Sequence, residues 1–242
     1  MKYFTLAISF LTIFPAKGKG HILPGDLGRS SAWFPFIGVI LGSLIAGVSY
    51  VASLIFPPLV ATGMTVAVWI GMTGGLHLDG LADCCDGMFH ASDPGRRLEI
   101  MKDPQLGSFG VIGLICSILF KFICIYSLPA ATVWIAIPLA TSTARWLLIW
   151  AGKQKMSRPT GMGADFSSGI TLRFVVPALV TITAVTILAG WQGILIVLFA
   201  HLITCLIFSV AKKQLGGLTG DVLGLIVEIS EIIVLLGFCV NG

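Results

Sequence analysis

Apolar residues run along this 242-residue chain in long stretches that are separated by short polar connections. A helix needs about 20 predominantly apolar residues to cross the hydrocarbon core of a bilayer. Seven stretches approach or exceed that length, and each predicts a membrane-embedded helix: 31–56, 59–78, 107–128, 130–151, 174–190, 193–211 and 222–240. The pattern therefore predicts an all-α, polytopic integral membrane protein, folded as a single helical bundle over residues 1–242.

The first fifteen residues have the layout of a secretory signal, because Lys2 is followed by an apolar run up to Phe14 and Pro15. No small-residue cleavage pattern follows, since Ala16 leads directly into Lys-Gly-Lys-Gly. The run is too short to span a bilayer. It predicts a short retained helix, either interfacial or re-entrant.

Most charged residues lie in alternate connections. The turns at 57–58, 129 and 190–192 carry no charge, whereas the segments 1–30, 79–106, 152–173 and 212–221 carry nearly all of it. Seven helices place these charged segments on one side of the membrane, and the positive-inside rule assigns that side to the cytoplasm. The chemistry is therefore expected to face the cytoplasm.

Composition supports a membrane protein and limits its partners. The chain is 56% hydrophobic and only 11% charged, with a net charge of +4. This modest positive charge favours contact with anionic membrane lipid, and no aromatic and basic platform for a nucleic acid is present. Gly38 and Gly42 form a small-xxx-small spacing that packs helices within one chain or between two copies, with internal packing favoured over a homo-oligomer. The six cysteines are predicted to be reduced, because four lie in apolar stretches and Cys84 and Cys85 lie on the cytoplasmic side.

Three aspartates, Asp79, Asp83 and Asp86, are spaced i, i+4 and i+7. On a helix these positions fall within an arc of about 60°. Like charges on one stripe repel one another, so the arrangement calls for a cation, and a hard divalent metal is the obvious candidate. If the helix continues, His90 returns to the same face as a base or a phosphate contact, whereas His77 lies opposite and is expected to be structural.

Two further segments offer contacts for phosphate. In the connection 96–110, Arg97 and Lys102 can neutralise phosphate oxygens, Asp103 can complete a metal shell, and Gly107 and Gly110 permit close backbone approach. The glycine-rich turn 216–224 leads into the last apolar stretch, where free backbone N–H groups suit a phosphate. That turn contributes three candidate contacts, Gly217, Thr219 and Gly220.

Several charged residues enter or border apolar stretches and leave alternatives open. Asp221 is either an N-cap or a ligand, and Glu228 shares its helix face as a possible metal or substrate contact. Arg145 can reach the site, pair with an acid or snorkel, and Lys121 either snorkels or pairs with Glu231. The loop 153–166, which contains Arg158, is interpreted as an ordinary loop in preference to a lid.

Clustered carboxylates, glycine turns and cationic residues at a membrane surface suit transfer of a phosphorus-linked group. The sequence shows neither a recognisable Ser-His-Asp signature nor a P-loop. It does resemble a known family: GGLHLDGLADCCDG at 74–87, MKDPQLGSFGV at 101–111 and GGLTGDVLG at 216–224 are similar, in that order, to the motifs of cobalamin synthase. The stretch FLTIFP at 10–15 is similar to the opening of that family, and Cys84-Cys85 departs from its smaller or hydroxylated residues.

This resemblance implies the adenosylcobinamide-GDP ribazoletransferase activity of bacterial inner membranes. The 3′-hydroxyl of α-ribazole, or of its 5′-phosphate, would attack the cobinamide-side phosphorus of adenosylcobinamide-GDP, and GMP would leave. The resemblance also implies Mg²⁺ as the cofactor and a multi-pass protein of the inner membrane.

The candidate residues receive the following roles as hypotheses. The catalytic candidates are Asp86, His90, Lys102 and Arg145. The substrate-binding candidates are Arg97, Gly107, Gly217, Thr219 and Gly220. The metal ligands are predicted to come from Asp79, Asp83, Asp86, Asp103, Asp221 and Glu228.

Two other classes of protein remain as alternatives. A CDP-alcohol phosphotransferase of lipid synthesis also uses membrane aspartates, but here only Asp83-Cys-Cys-Asp86-Gly87 matches its pattern and the paired downstream aspartates are missing. A transporter coupled to ions would also place carboxylates in its spans. The acids gather at one membrane face instead of the midplane, which disfavours a transporter.

Overall fold

The computed structural model describes residues 1–16 and 21–240, and these residues fold into α-helices with one isolated β-bridge, between Met156 and Leu218. A short 3₁₀ turn, Ser31–Trp33, precedes the third helix. The α-helices are α1 Lys2–Leu11, α2 Asp26–Ser30, α3 Phe34–Ile55, α4 Pro58–Thr73, α5 Leu76–Phe89, α6 Pro94–Ile100, α7 Ser108–Ser127, α8 Ala130–Gly152, α9 Met162–Gly169, α10 Leu172–Leu188, α11 Gly190–Leu215 and α12 Gly220–Cys239.

The prediction of an all-α polytopic membrane protein is confirmed. Within the described residues, five segments are each long and apolar enough to cross a membrane, namely Asp26–Ile55, α7, α8, α11 and α12. Helix α4 has 16 residues and is followed by α5 after a bend of 90°, and α10 has 17 residues and is preceded by α9 with a bend of 91° between them. The predicted total of seven membrane-embedded helices is reached when each bent pair counts as one span.

The predicted span 59–78 is wrong at its carboxyl end. Helix α4 ends at Thr73, because Gly74 and Gly75 adopt φ angles of +63° and +68°, a left-handed conformation that glycine tolerates. The chain turns there and starts α5 at Leu76. With 14 residues α5 is only about 21 Å long, too short to cross a bilayer by itself. The aspartate stripe therefore lies on a separate short helix that packs against α7 and α12.

Helix α8 forms the centre of the bundle, packed against α3 on one side and α12 on the other. Gly38 and Gly42 of α3 allow this close packing: an added Cβ would lie 2.7 Å from Ser142 Cα or 2.5 Å from Pro138 Cα. The small-xxx-small spacing therefore serves packing within the chain, as expected. The six cysteines are all free, and their reduced state stays a prediction.

The predicted short amino-terminal helix is present as α1, and it packs against the start of α3. Ala7 and Leu11 are buried, and the Phe10 ring stacks on Phe34 with centroids 5.8 Å apart. Lys2 Nζ lies 2.5 Å from Asp26 Oδ2, so an ion pair also ties α1 to α2. These contacts make α1 an integral part of the amino-terminal packing.

A charged network lies inside the bundle, between α7, α8 and α12. Lys121 Nζ lies 2.8 Å from Glu228 Oε2 and 2.6 Å from Glu231 Oε2, and Arg145 Nη1 donates to Glu231 Oε1. Ser117 Oγ donates to Glu228 Oε2 at 2.8 Å. All four charged residues are buried. The two cations balance the two acids, so the network is formally neutral, as a low-dielectric interior requires.

This network decides between the alternatives left open by the sequence. Lys121 pairs with Glu231, and Arg145 pairs with the same acid instead of snorkelling or reaching a phosphate. Glu228 already accepts hydrogen bonds from Lys121 and Ser117, so its carboxylate is occupied within the bundle. The structure therefore places Arg145 and Glu228 in an internal ion network, apart from the predicted catalytic and metal roles.

A variant that lacks one acid of the network is expected to unfold more easily than the unmodified protein. Glu231→Gln leaves Lys121 and Arg145 with one acid between them, and breaking a buried pair costs about 3 to 5 kcal/mol. Glu99→Gln is the matched control, because its pair with Arg96 is exposed and worth about 0 to 1 kcal/mol. Denaturant unfolding in detergent micelles measures both. Equal losses in the two variants would contradict the structural role of the network.

Candidate functional site

Helices α5 and α12 cross at two glycines, and this crossing builds the site. A Cβ on Gly80 would lie 2.8 Å from the Asp221 carbonyl oxygen, and one on Gly224 would lie 3.0 Å from the His77 carbonyl oxygen. No larger residue fits this contact without moving a backbone. The close approach brings Asp79 and Asp83 of α5 next to Asp221, at the first turn of α12.

Three adjoining cavities meet at these aspartates. The large cavity, about 750 Å³, is lined by Asp79 and Asp83 from α5 and by Lys102, Asp103 and Gln105 from the following connection. The middle cavity, about 200 Å³, shares Leu76 and Asp79 with the large one. The small cavity, about 170 Å³, shares Met162, Gly163, Gly220 and Asp221 with the middle one. Asp79 therefore borders the large and middle cavities, and Asp221 borders the middle and small ones.

The aspartates form no ion pair with a cationic side chain among the described residues. Within the described residues, no lysine, arginine or histidine nitrogen lies within 4.0 Å of the carboxylates of Asp79, Asp83, Asp86 or Asp221. Burial of Asp83, followed by the charges of Asp221, Asp79 and Asp86, raises its pKa to about 7. Without a nearby cation, Asp83 therefore takes up a proton around neutral pH.

The carboxylates fit a magnesium site that is completed by a substrate. In the part of the chain that the structure describes, no three His, Cys, Asp or Glu side chains are gathered tightly enough to hold a metal by themselves. Mg²⁺ typically takes only one or two carboxylates, keeps several waters and uses substrate phosphates as further ligands. Asp79 and Asp83, one helical turn apart on the wall of the large cavity, suit that requirement.

Asp86 has a structural partner that the sequence did not reveal. Gly107 N donates to Asp86 Oδ2 and Gly110 N donates to Asp86 Oδ1, each at 2.8 Å. These two amides lie at the amino terminus of α7, where backbone N–H groups lack partners within the helix. Asp86 therefore caps α7 from α5. The close backbone approach predicted for Gly107 and Gly110 is therefore an approach to Asp86. Both amides already donate to Asp86, so they are not available to a phosphate.

The other residues of the connection 96–110 fall into two groups. Lys102 and Asp103 are exposed and line the large cavity beside Asp79 and Asp83, as the sequence predicted. Arg97 is bound internally: its side chain donates to the carbonyl oxygens of Ser92 and Met88 and to Gln214 Oε1. The guanidinium of Arg97 thus fastens α6 to α5 and α11, and it contributes to none of the three cavities.

The predicted role of His90 rested on a helix that does not continue far enough. Helix α5 ends at Phe89, and His90 has an extended backbone with ψ of 131°. Its side chain is exposed and lines none of the three cavities. His77, by contrast, is buried and lines the middle cavity.

The glycine-rich turn before α12 serves the site mainly through its backbone. The Thr219 hydroxyl accepts from Val222 N at 3.2 Å and so caps α12, while Gly220 and Asp221 line the middle and small cavities. Gly217 lies against the loop that follows α8, where an added Cβ would be 2.7 Å from the Lys155 carbonyl oxygen. The turn is thereby held against the loop 153–166, for which the sequence predicted no functional role.

That loop was the part of the site that sequence reasoning missed. Leu218 N donates to the Lys155 carbonyl oxygen at 2.9 Å, and Ser157 N donates to the Leu218 carbonyl oxygen at 2.8 Å. This pairing brings Arg158 and Thr160 to the wall of the small cavity, opposite Asp221. An arginine in a glycine-containing loop was the only signal in the sequence, and it does not specify a partner.

Comparison with known proteins agrees with this arrangement. A family model described as cobalamin-5-phosphate synthase matches residues 3–239, which is nearly the whole chain. The chain belongs to the cobalamin-5-phosphate synthase family. The resemblance inferred from the three sequence motifs is thus confirmed, and the three motifs of this family meet around the cavities described above.

Curated relatives extend over the same length. A protein of Geotalea daltonii named adenosylcobinamide-GDP ribazoletransferase is 34% identical over 100% of this chain and 98% of its own. Proteins of the same name from Desulforamulus reducens and Deinococcus radiodurans are 36% and 33% identical, over 93% and 96% of this chain and 91% and 83% of theirs. No solved structure matches the chain.

Because Asp86 caps α7, we expect its removal to destabilise the protein, whereas a change at the neighbouring Asp83 should not. Asp86→Ala leaves Gly107 N and Gly110 N without acceptors, and loss of a cap costs about 0.5 to 2 kcal/mol of stability. Asp83→Asn is the matched control, because it removes an unbalanced charge without breaking a hydrogen bond to the described residues. We expect only Asp86→Ala to lower the free energy of unfolding in metal-free detergent solution. A fully stable Asp86→Ala would contradict the cap.

Proposed function

We propose that this protein transfers the adenosylcobinamide-phosphate group of adenosylcobinamide-GDP to α-ribazole or its 5′-phosphate. The products are adenosylcobalamin, or its 5′-phosphate, and GMP. The observation that carries the proposal is the family match over residues 3–239 together with unbalanced carboxylates at the meeting point of three cavities. The name shared by these relatives, adenosylcobinamide-GDP ribazoletransferase, supports the same two substrates.

The large cavity is the proposed position of the diphosphate. Asp79 and Asp83 would hold Mg²⁺ there, and Asp103 lies on the same wall as a further oxygen donor. Lys102 lies beside them and binds phosphate oxygens as a mobile point charge. When bound, Mg²⁺ neutralises phosphate charge and favours the attack of an oxygen nucleophile on phosphorus. When the bond to GMP breaks, negative charge would develop on the GMP phosphate, and Lys102 in the same cavity would stabilise it.

The acceptor hydroxyl is proposed to enter from the side of Asp221. Its oxygen forms the new bond to the cobinamide-side phosphorus, the bond from that phosphorus to GMP breaks, and the hydroxyl proton passes to a carboxylate. Asp221 lines both the middle and the small cavity and is the carboxylate placed to accept that proton. Asp86, which the sequence offered as a catalytic residue or a metal ligand, has both oxygens bonded to backbone amides.

We propose that the site faces the cytoplasm from a bacterial inner membrane. The short turns after α3, α7 and α10 carry no charge, whereas the cavities lie at the charged connections of the opposite ends. Apolar side chains exposed along α7, α10 and α11 would contact membrane lipid. A homo-oligomer stays a prediction, and Gly38 and Gly42 are already used within the chain.

A GMP-release assay tests the proposed function and its metal dependence. Purified protein with adenosylcobinamide-GDP and α-ribazole is expected to release GMP when Mg²⁺ is present and to stop when the metal is chelated. Asp83→Asn should lower this rate by more than about 100-fold, because it removes a proposed metal ligand. Glu99→Gln, an exposed carboxylate change on α6, should leave the rate unchanged.

Two outcomes would contradict this proposal. Full activity of Asp83→Asn would remove the metal assignment, since Asp83 would then not be needed to hold Mg²⁺. Ion flux into vesicles with no GMP release would instead favour the transporter alternative, in which buried carboxylates bind the transported ion.

A further inference from the structure

The middle cavity has an inner wall that it shares with neither neighbouring cavity. Its borders are polar, because Asp79 also lines the large cavity and Asp221 also lines the small one. The inner wall consists of the backbones of two glycines and of six side chains, Phe10, Leu27, His77, Leu148, Phe166 and Leu223. Five of these six side chains are apolar. Such a wall suits a ligand group that is mainly apolar and carries very few polar atoms.

Two aromatic rings give this inner wall a fixed shape. The Phe34 ring stacks on Phe10 with centroids 5.8 Å apart and on Phe166 with centroids 5.6 Å apart. The three residues come from α1, α3 and α9, so the stack joins three helices beside the cavity. An aromatic ligand gains favourable ring contacts with side chains of this kind.

His77 is the polar side chain of the inner wall, and it has no partner there. It is 5% exposed, and its ring nitrogens form no hydrogen bond with the described residues. A neutral imidazole has one N–H donor and one acceptor, and a buried polar group without a partner costs free energy. We therefore expect the ligand of this cavity to supply a single hydrogen-bonding atom to His77.

Size and polarity indicate which part of the two substrates fits. The cavity has a volume of about 200 Å³, the space of roughly seven water molecules, which admits a flat bicyclic ring but not a corrin. Guanine carries several donors and acceptors, and most of them would remain unpaired against this wall. The benzimidazole of α-ribazole has one free ring nitrogen, which is an acceptor, and is otherwise apolar. It matches one donor on an apolar wall.

The position of the cavity agrees with this choice. One ribose carries both the base and the attacking hydroxyl of the acceptor. Asp221, the proposed acceptor of the hydroxyl proton, borders the middle cavity, and so does Asp79 of the proposed metal site. A base held by the inner wall would therefore leave its ribose next to Asp221, on the path to the diphosphate.

We propose that the middle cavity binds the base of the acceptor and that His77 donates a hydrogen bond to the free ring nitrogen of that base. His77 is then a residue that determines specificity. A site built to form a hydrogen bond discriminates against analogues that lack the partner atom. This inference rests on the proposed function, because the function supplies the identity of the acceptor.

Calorimetric binding of two acceptors tests the inference without turnover. The second acceptor is the matching indole riboside, in which C–H replaces the free ring nitrogen of α-ribazole and the rest is unchanged. We expect the unmodified protein to bind α-ribazole about 10-fold more tightly than the indole riboside, the size of one buried hydrogen bond. His77→Phe keeps an aromatic ring but loses the donor, so it should bind both compounds within about twofold of each other.

Three further variants separate hydrogen bonding, space and folding. His77→Gln keeps an N–H donor and should recover part of the preference. Leu148→Phe adds volume to the inner wall and should weaken both acceptors by more than about 10-fold. His21→Phe is the matched control, because His21 is exposed and lines none of the three cavities. Unchanged binding of adenosylcobinamide-GDP by the His77 and Leu148 variants would show that they are folded.

Equal binding of the two acceptors by the unmodified protein would overturn the inference. So would an equal loss of both acceptors in His77→Phe, which is the result of a purely structural role. Weaker binding of adenosylcobinamide-GDP alone in Leu148→Phe would also overturn it, since the cavity would then hold the guanine. If the preference that depends on His77 persists but no GMP is released, the proposed function fails and the base site stays supported.

Discussion

Mutual repulsion among aspartates, enforced by the glycine contact between α5 and α12, is the constraint on which the site depends. Gly80 and Gly224 let the two helices approach so closely that Asp79 and Asp83 lie near Asp221, and among the described residues these acids form no ion pair. The cost appears in Asp83, whose pKa is raised to about 7 by burial and by its neighbours. A bound cation would lower this cost, which is the physical basis of the metal site proposed here.

The chain handles charge in two different ways within one bundle. Lys121, Arg145, Glu228 and Glu231 form a neutral network whose partners are all supplied by α7, α8 and α12. Asp79, Asp83 and Asp221, at the end of the bundle, form no ion pair with the described residues. The internally paired acids stabilise the bundle, and the unpaired acids are the ones for which a role in the chemistry is proposed. Asp86 belongs to the first group despite its place in the motif, because both of its oxygens hold the start of α7.

The sequence predicted what depends on local patterns and missed what depends on tertiary partners. Apolar length located the spans, and the i, i+4 spacing placed Asp79 and Asp83 on one cavity wall. The 90° bend at Gly74 and Gly75 was missed, because their neighbours are as apolar as a continuous span. The partners of Asp86 and Arg97 and the place of Arg158 at the small cavity depend on segments far apart in sequence, which spacing cannot reveal. His90 lies outside the three cavities because α5 stops one residue before it, whereas the spacing argument assumed a longer helix.

Locating the metal directly tests the central claim that the unbalanced aspartates bind a cation together with the diphosphate. Mn²⁺ has the same preference for oxygen ligands as Mg²⁺ and gives an anomalous X-ray signal, so crystals grown with Mn²⁺ and adenosylcobinamide-GDP would reveal its position. The account predicts a peak in the large cavity, bonded to carboxylate oxygens of Asp79 and Asp83 and to the diphosphate. A peak bound at Asp86 or Glu228 instead, or a bound diphosphate with no metal beside Asp79 and Asp83, would contradict it.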